Sequence, residues 1–192
     1  MKKFNWRLIL SNVLGLDLST TTIGYTIVNE NGIVLMDFVK PKGNTIFEKM
    51  DSGSQQLIAK IGKVKVDKIM AEQPNIMFQQ GKSSAQTISK ILRFNGAILF
   101  TLHRYFRIFP DEIMSVSARK QVIGRGRFDK GLNPKEEVFK FVASRVPEET
   151  WINCISKTGK WKPERFDVAD SYIIAMAGLN GRTQATEVRD TD

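Results

Sequence analysis

Residues 13–28 read V-L-G-L-D-L-S-T-T-T-I-G-Y-T-I-V, and the rest of the chain is interpreted from them. Val13, Leu14, Leu16 and Leu18 form an apolar run that carries one charge, Asp17. A charge inside a buried strand costs several kcal/mol unless something pairs with it. Ser19 to Thr22 turn the chain, and Gly24 opens a second run, Tyr25-Thr26-Ile27-Val28. An Asn31-Gly32 turn follows, and Ile33 to Met36 supply a third strand. The expected unit is a meander of three strands with Asp17 near the end of the first. Two readings fit that carboxylate: a turn or strand-end cap, or a ligand for metal or phosphate chemistry.

Outward from this stretch, further acids fall at comparable places. Val64 to Ala71 reads as a strand that delivers Glu72, and Gln73-Pro74-Asn75 breaks it. Asp167 to Leu179 reads as a helix, largely apolar through Val168, Tyr172, Ile173, Ile174, Ala175 and Met176. Asp167 and Asp170 lie three apart on it, hence on one face and one turn apart. Taken alone, that pair could serve the helix dipole. Together with Asp17 and Glu72 it makes an oxygen-rich set of the kind hard divalent cations such as Mg²⁺ or Mn²⁺ prefer. Two such ions roughly 4 Å apart can clamp the attacking and leaving oxygens of a phosphodiester displacement. The single cysteine, Cys154, and the single histidine, His103, leave no ligands for a zinc site and no disulfide framework. His103 is assigned no role.

Between the acids the pattern predicts a helix from Phe47 to Ile61, weakened at Ser52-Gly53-Ser54, and a long helix from Ser84 to Phe106. Ile113 to Val116 reads as a strand. Residues 117–130, S-A-R-K-Q-V-I-G-R-G-R-F-D-K, place five basic side chains around Gly124 and Gly126: Arg119, Lys120, Arg125, Arg127 and Lys130. The bland reading is a solvated charged loop; the alternation of glycine with arginine favours phosphate contact. Pro134 starts a helix through Arg145. Residues 147–165 read as irregular and hold Trp151 and Trp161.

Composition fits these readings. The 192 residues suffice for one domain with a real core. Hydrophobic residues make up 42% and the mean hydropathy is −0.22, without an apolar run long enough to span a membrane. Lys and Arg number 29 against 20 Asp and Glu, a net charge of +9, which suggests a polyanionic partner.

The order and spacing of these segments resemble the RuvC family of Holliday-junction resolvases, within the RNase H-like superfamily. The resemblance spans residues 13–179. It rests on Gly15-Leu16-Asp17-Leu18 with Gly24-Tyr25, on Ala71-Glu72-Gln73, on Gln121 to Gly126 followed by Asp129-Lys130, and on Asp167-Val168-Ala169-Asp170. It implies an α/β fold, a mixed sheet with a three-stranded antiparallel meander plus parallel strands, flanked by helices. It further implies a homodimeric endonuclease that nicks a four-way DNA junction symmetrically. Asp17, Glu72, Asp167 and Asp170 would then hold Mg²⁺ or Mn²⁺, two ions per site. Lys120 and Lys130 are the expected catalytic cations, and Arg119, Lys120, Arg125, Arg127 and Lys130 the expected DNA contacts. Whether Arg119 or Lys120 takes the place of the family's lysine before the Gly-x-Gly is left open. Bacterial members carry a phenylalanine three residues after the glutamate; here Asn75 stands there, and Met77 and Phe78 are the nearest bulky residues, Phe78 being the candidate DNA contact.

On this reading residues 1–12 are a basic extension and 180–192 a flexible polar tail. The expected location is the cytoplasm of a bacterial or phage-infected cell, with an organelle or virus factory as alternatives. Rival functions are a sugar kinase or ATPase, suggested by Asp17-Leu18-Ser19-Thr20-Thr21 but short of two domains; an RNase H-like nuclease on flaps or RNA–DNA hybrids; and a catalytically silent binder of branched DNA.

Overall fold

The computed structural model describes residues 11–74 and 84–187. The meander is present as β1 (Val13–Leu18), β2 (Ile23–Asn29) and β3 (Gly32–Val39), joined antiparallel. Two further strands, β4 (Lys68–Glu72) and β5 (Asp111–Ile113), continue the sheet in parallel with β1, in the order β3-β2-β1-β4-β5. The fold is the expected α/β arrangement of one mixed sheet with helices on both faces.

Strand parity sorts the core into two halves. Leu14, Leu16 and Leu18 of β1, with Ile69 and Ala71 of β4, face α1 (Ile46–Ile61) and α2 (Ala85–Phe106). Val13 of β1 and Met70 of β4 face the other way, onto α3 (Ser115–Ile123), α4 (Pro134–Ala143) and α5 (Arg165–Glu187). β1 is therefore buried on both sides, as a central strand next to a parallel neighbour should be.

The helix starts have local causes. Thr45 and Glu48 form a reciprocal capping box on α1 (Glu48 N to Thr45 Oγ1 3.2 Å, Thr45 N to Glu48 Oε2 2.9 Å). Gly53 and Ser54, which weaken the helix as sequence, are buried there. The missing side chain of Gly53 lets α1 approach Ile23, Pro41 and Ile98. Ser84 caps α2, and Asn133 caps α4 with Pro134 in its first turn.

Four segments differ from the sequence expectation. The strand expected at 64–71 begins only at Lys68 and runs to Glu72. The strand expected at 113–116 is β5, ending at Ile113, and Ser115 already begins α3. Residues 148–154 form a 3₁₀ helix rather than irregular chain. The last helix extends to Glu187, beyond the apolar stretch that predicted it. No helix among the described residues is long and apolar enough to cross a membrane.

Candidate active site

Asp17, Gly15 and Val13 share one side of β1 by parity, and that side receives α5. The approach is close enough that side chains are excluded. A Cβ on Gly15 would overlap the backbone of Ser171 and Ala175, and one on Gly24 would overlap the carbonyl of Asp167. Thr26 Oγ1 and Ser171 Oγ, both buried, lie 2.8 Å apart and pin the helix over β2. The two motif glycines therefore serve packing: they let the start of α5 descend onto the strand that carries Asp17.

Glu72 arrives from β4. Leu16 pairs with Ala71, so the next step of the same register sets Asp17 beside Glu72. Asp17, Glu72, Asp167 and Asp170 all line one cleft of about 300 Å³. Arg119 from α3, Lys135 from α4 and Asn95 from α2 line it too, with Ser19 and Gln73 at the strand ends. With all groups ionised, four carboxylates against Arg119 and Lys135 leave a charge of −2 on these walls.

The electrostatics follow from that crowding. Burial, then Glu72, Asp170 and Asp167, push the Asp17 carboxyl well above its ordinary range. Burial and Glu72 lift Asp170 to about 7, against the pull of Arg119 and Lys135. Burial raises Glu72, opposed by a Ser115 hydrogen bond and by Arg119 and Lys135. Asp167 is raised by burial and held back first by Lys135, whose Nζ lies 3.9 Å from its Oδ1; hydrogen bonds with Asp17 and Thr22 act in the same direction. Excess acid without enough positive charge marks a site suited to cations. The donors are all oxygen, which fits Mg²⁺ or Mn²⁺ and not a thiolate-seeking metal. Among the described residues, however, no three acids stand close enough to form a ready-made cage, so binding would have to draw the side chains together.

The basic residues divide. Arg119 lines the cleft, and its Nε is buried without a partner among the described residues. Lys120, next to it on α3, is exposed and lies outside the lining, as do Arg125, Arg127 and Lys130. Arg119 is thus the one of the two neighbours that reaches the acids. Lys130 sits in the α3–α4 loop, and Lys135, at the second position of α4, is the lysine that faces Asp167. The sequence reading missed Lys135. A signal existed: a lysine in the first turn opposes the helix dipole and calls for nearby anions. Asn95 was also missed; its buried Oδ1 has no partner among the described residues. Phe78, with Asn75 and Met77, lies outside the described residues.

A scan against protein-family models finds no match, and neither does a search of the curated proteins. Solved structures do match. The Thermus thermophilus RuvC structure superposes with a TM-score of 0.62 at 17% identity, over 90% of this chain and 96% of that one. T. thermophilus RuvC in complex with a Holliday junction substrate gives 0.63 at 15% identity, with the same shares covered. The yeast mitochondrial Holliday junction resolvase Ydc2 gives 0.55 at 17% identity, over 94% of this chain and 84% of that one. At these identities the likeness is one of architecture, and the architecture is that of RuvC: this chain has the RuvC-like, RNase H-like fold.

Proposed function

We propose that the protein is a metal-dependent endonuclease that resolves four-way DNA junctions by paired, symmetric nicks as a homodimer. One observation carries the reading: carboxylates from β1, β4 and α5 converge with Arg119 and Lys135 on one cleft of a RuvC-like fold. Asp17, Glu72, Asp167 and Asp170 would hold Mg²⁺ or Mn²⁺, which when bound supplies the Lewis acidity that activates water and offsets charge on the phosphate. Arg119 and Lys135 neutralise phosphate oxygens at the cut. The unpaired Nε of Arg119 supports that role, since a buried donor without a partner is costly to keep. Paired nicks need two sites, and α2 offers exposed apolar side chains on its outer side in Leu92 and Phe100. Phe94 belongs to the inner core and is not available to a partner chain.

The test is a panel of synthetic substrates with Mg²⁺ or Mn²⁺: a four-way junction, a flap, an RNA–DNA hybrid and linear duplex. Paired symmetric nicks confined to the junction are expected. Cleavage of flaps or hybrids with an intact junction would move the assignment to another RNase H-like activity. Binding without cleavage of any substrate would leave a silent junction binder.

A further inference from the structure

Between the 3₁₀ helix and α5 the chain folds into a small hairpin. Ile155 and Trp161 pair as an antiparallel bridge. Ser156 N donates to Lys160 O at 2.8 Å, Lys162 N to Cys154 O at 2.8 Å and Gly159 N to Ser156 O at 2.9 Å. Gly159 closes the turn at φ +76°, a conformation that favours glycine. Residues 155–163 read I-S-K-T-G-K-W-K-P, with three lysines and no acid. Lys162 folds back to donate to Asn153 O at 2.8 Å. Lys157 and Lys160 stay exposed near the tip, and neither has an ion pair among the described residues. The adjacent acid, Glu164, is taken by Lys40.

This hairpin is held rather than loose. The Trp161 ring stands edge-on to Phe139 at 5.0 Å and to Trp151 at 5.9 Å between centroids. Phe139 lies four residues beyond Lys135 on α4, about one helical turn from the cleft. Pro163 leads directly into α5, which carries Asp167. The two free lysines are therefore tied to both elements that bring Lys135 and Asp167 into the cleft. Two like charges near one tight turn, with no ion pair among the described residues, repel each other. A polyanion running past the cleft would offset them.

We propose that residues 155–163 form a second phosphate-binding site, in which Lys157 and Lys160 grip the sugar–phosphate backbone of a duplex DNA arm flanking the cut. Trp161 is a positioning residue that holds the hairpin against α4. The inference rests on the nuclease reading above. It is tested by binding of a labelled four-way junction and of linear duplex in Ca²⁺ across a salt series, beside single-turnover cleavage at saturating protein. Lys157→Ala with Lys160→Ala should weaken binding of both DNAs about tenfold at moderate salt and lower the log–log salt slope by roughly two. The saturated cleavage rate should stay within about twofold of wild type, because the hairpin does not touch the reacting atoms. Trp161→Ala, which changes no charge, should lose part of the same affinity, and Trp161→Phe should keep it. Lys49→Ala with Lys63→Ala, on the α1 side of the sheet, should change neither affinity nor slope. If the wild type binds DNA but the Lys157/Lys160 variant matches it in affinity and slope, the hairpin site is wrong and the nuclease reading stands. Equal losses in the Lys49/Lys63 variant would reduce the effect to net charge and also overturn the site. Wild-type protein that binds no DNA overturns both.

Discussion

Asp170 shows how single residues set the behaviour of this site. Its carboxyl is lifted from 3.8 to about 7 by burial and by Glu72, and Asp17, Glu72 and Asp167 are raised as well. Between those two pH values the folded chain keeps a proton on Asp170 that the unfolded chain has released. Stability rises with pH only where the unfolded state holds more protons, so here it falls as pH climbs from about 4 to 7. The shift in Asp170 alone corresponds to on the order of 4 kcal/mol. Metal-free protein should thus melt at a lower temperature near pH 7.5 than near pH 5, and Asp170→Asn should flatten that trend and melt higher at neutral pH. Mg²⁺ should raise the neutral-pH melting temperature of the wild type more than that of the variant. Equal pH trends in melting scans of the two proteins would contradict this account of Asp170. On the basic side, loss of Arg119 or Lys135 to alanine should lower single-turnover cleavage by about 10²-fold or more with little change in junction affinity. Lys120→Ala should change the rate by less than about threefold, since it lies outside the cleft.

At the scale of elements, the strands and their acids were legible in the sequence because alternation in β1 and the Asn31-Gly32 turn are local signals. The same parity that buried Leu14 and Leu16 on one face committed Asp17 to the other. The start of α3 was not legible: Ile113, Met114 and Val116 look strand-like locally, and Ser115 begins the helix without a side-chain cap. The hairpin before α5 was equally hidden, because its order comes from Trp161 packing on Phe139 of α4 and on Trp151 of the 3₁₀ helix, tertiary contacts that no local pattern signals. Lys135 could not be placed until α4 was seen against α5. The descent of α5 yields a direct prediction. Gly24→Ala puts a methyl group against the Asp167 carbonyl and should cost about 3 kcal/mol or displace α5. A variant that still folds should lose cleavage because Asp167 moves away from Asp17. Denaturant unfolding and single-turnover rates measure the two effects separately. For α2, Leu92→Glu with Phe100→Glu places charges on the face proposed to meet a second copy. Sedimentation should show dimers for the wild type and monomers for the variant, which should nick junctions on one strand instead of two.

For the molecule as a whole, the net charge of +9 sits beside a cleft in which four acids outnumber two bases, so the proposed attraction to DNA is assigned to surfaces around the acids and not to the cleft itself. The α3–α4 loop is one such surface. Arg125 and Arg127 are exposed on either side of Gly126, where a Cβ would strike Val116, and the Arg125 guanidinium lies 5.3 Å from the centre of the Phe128 ring. The glycine keeps this basic loop tight against α3, whose Arg119 reaches the cleft. Side chains so placed can hold phosphates near the cut without entering the chemistry. Arg125→Ala with Arg127→Ala should therefore weaken junction, flap and linear duplex by the same factor. The log–log salt slope should drop by roughly one unit for each phosphate no longer held. The saturated cleavage rate should be unchanged, unlike that of Arg119→Ala and Lys135→Ala. Anisotropy titrations on the three DNAs, with single-turnover cleavage alongside, measure all of these quantities. A loss confined to the four-way junction would mean that the loop reads branch geometry, and the sequence-independent role argued for it would fail.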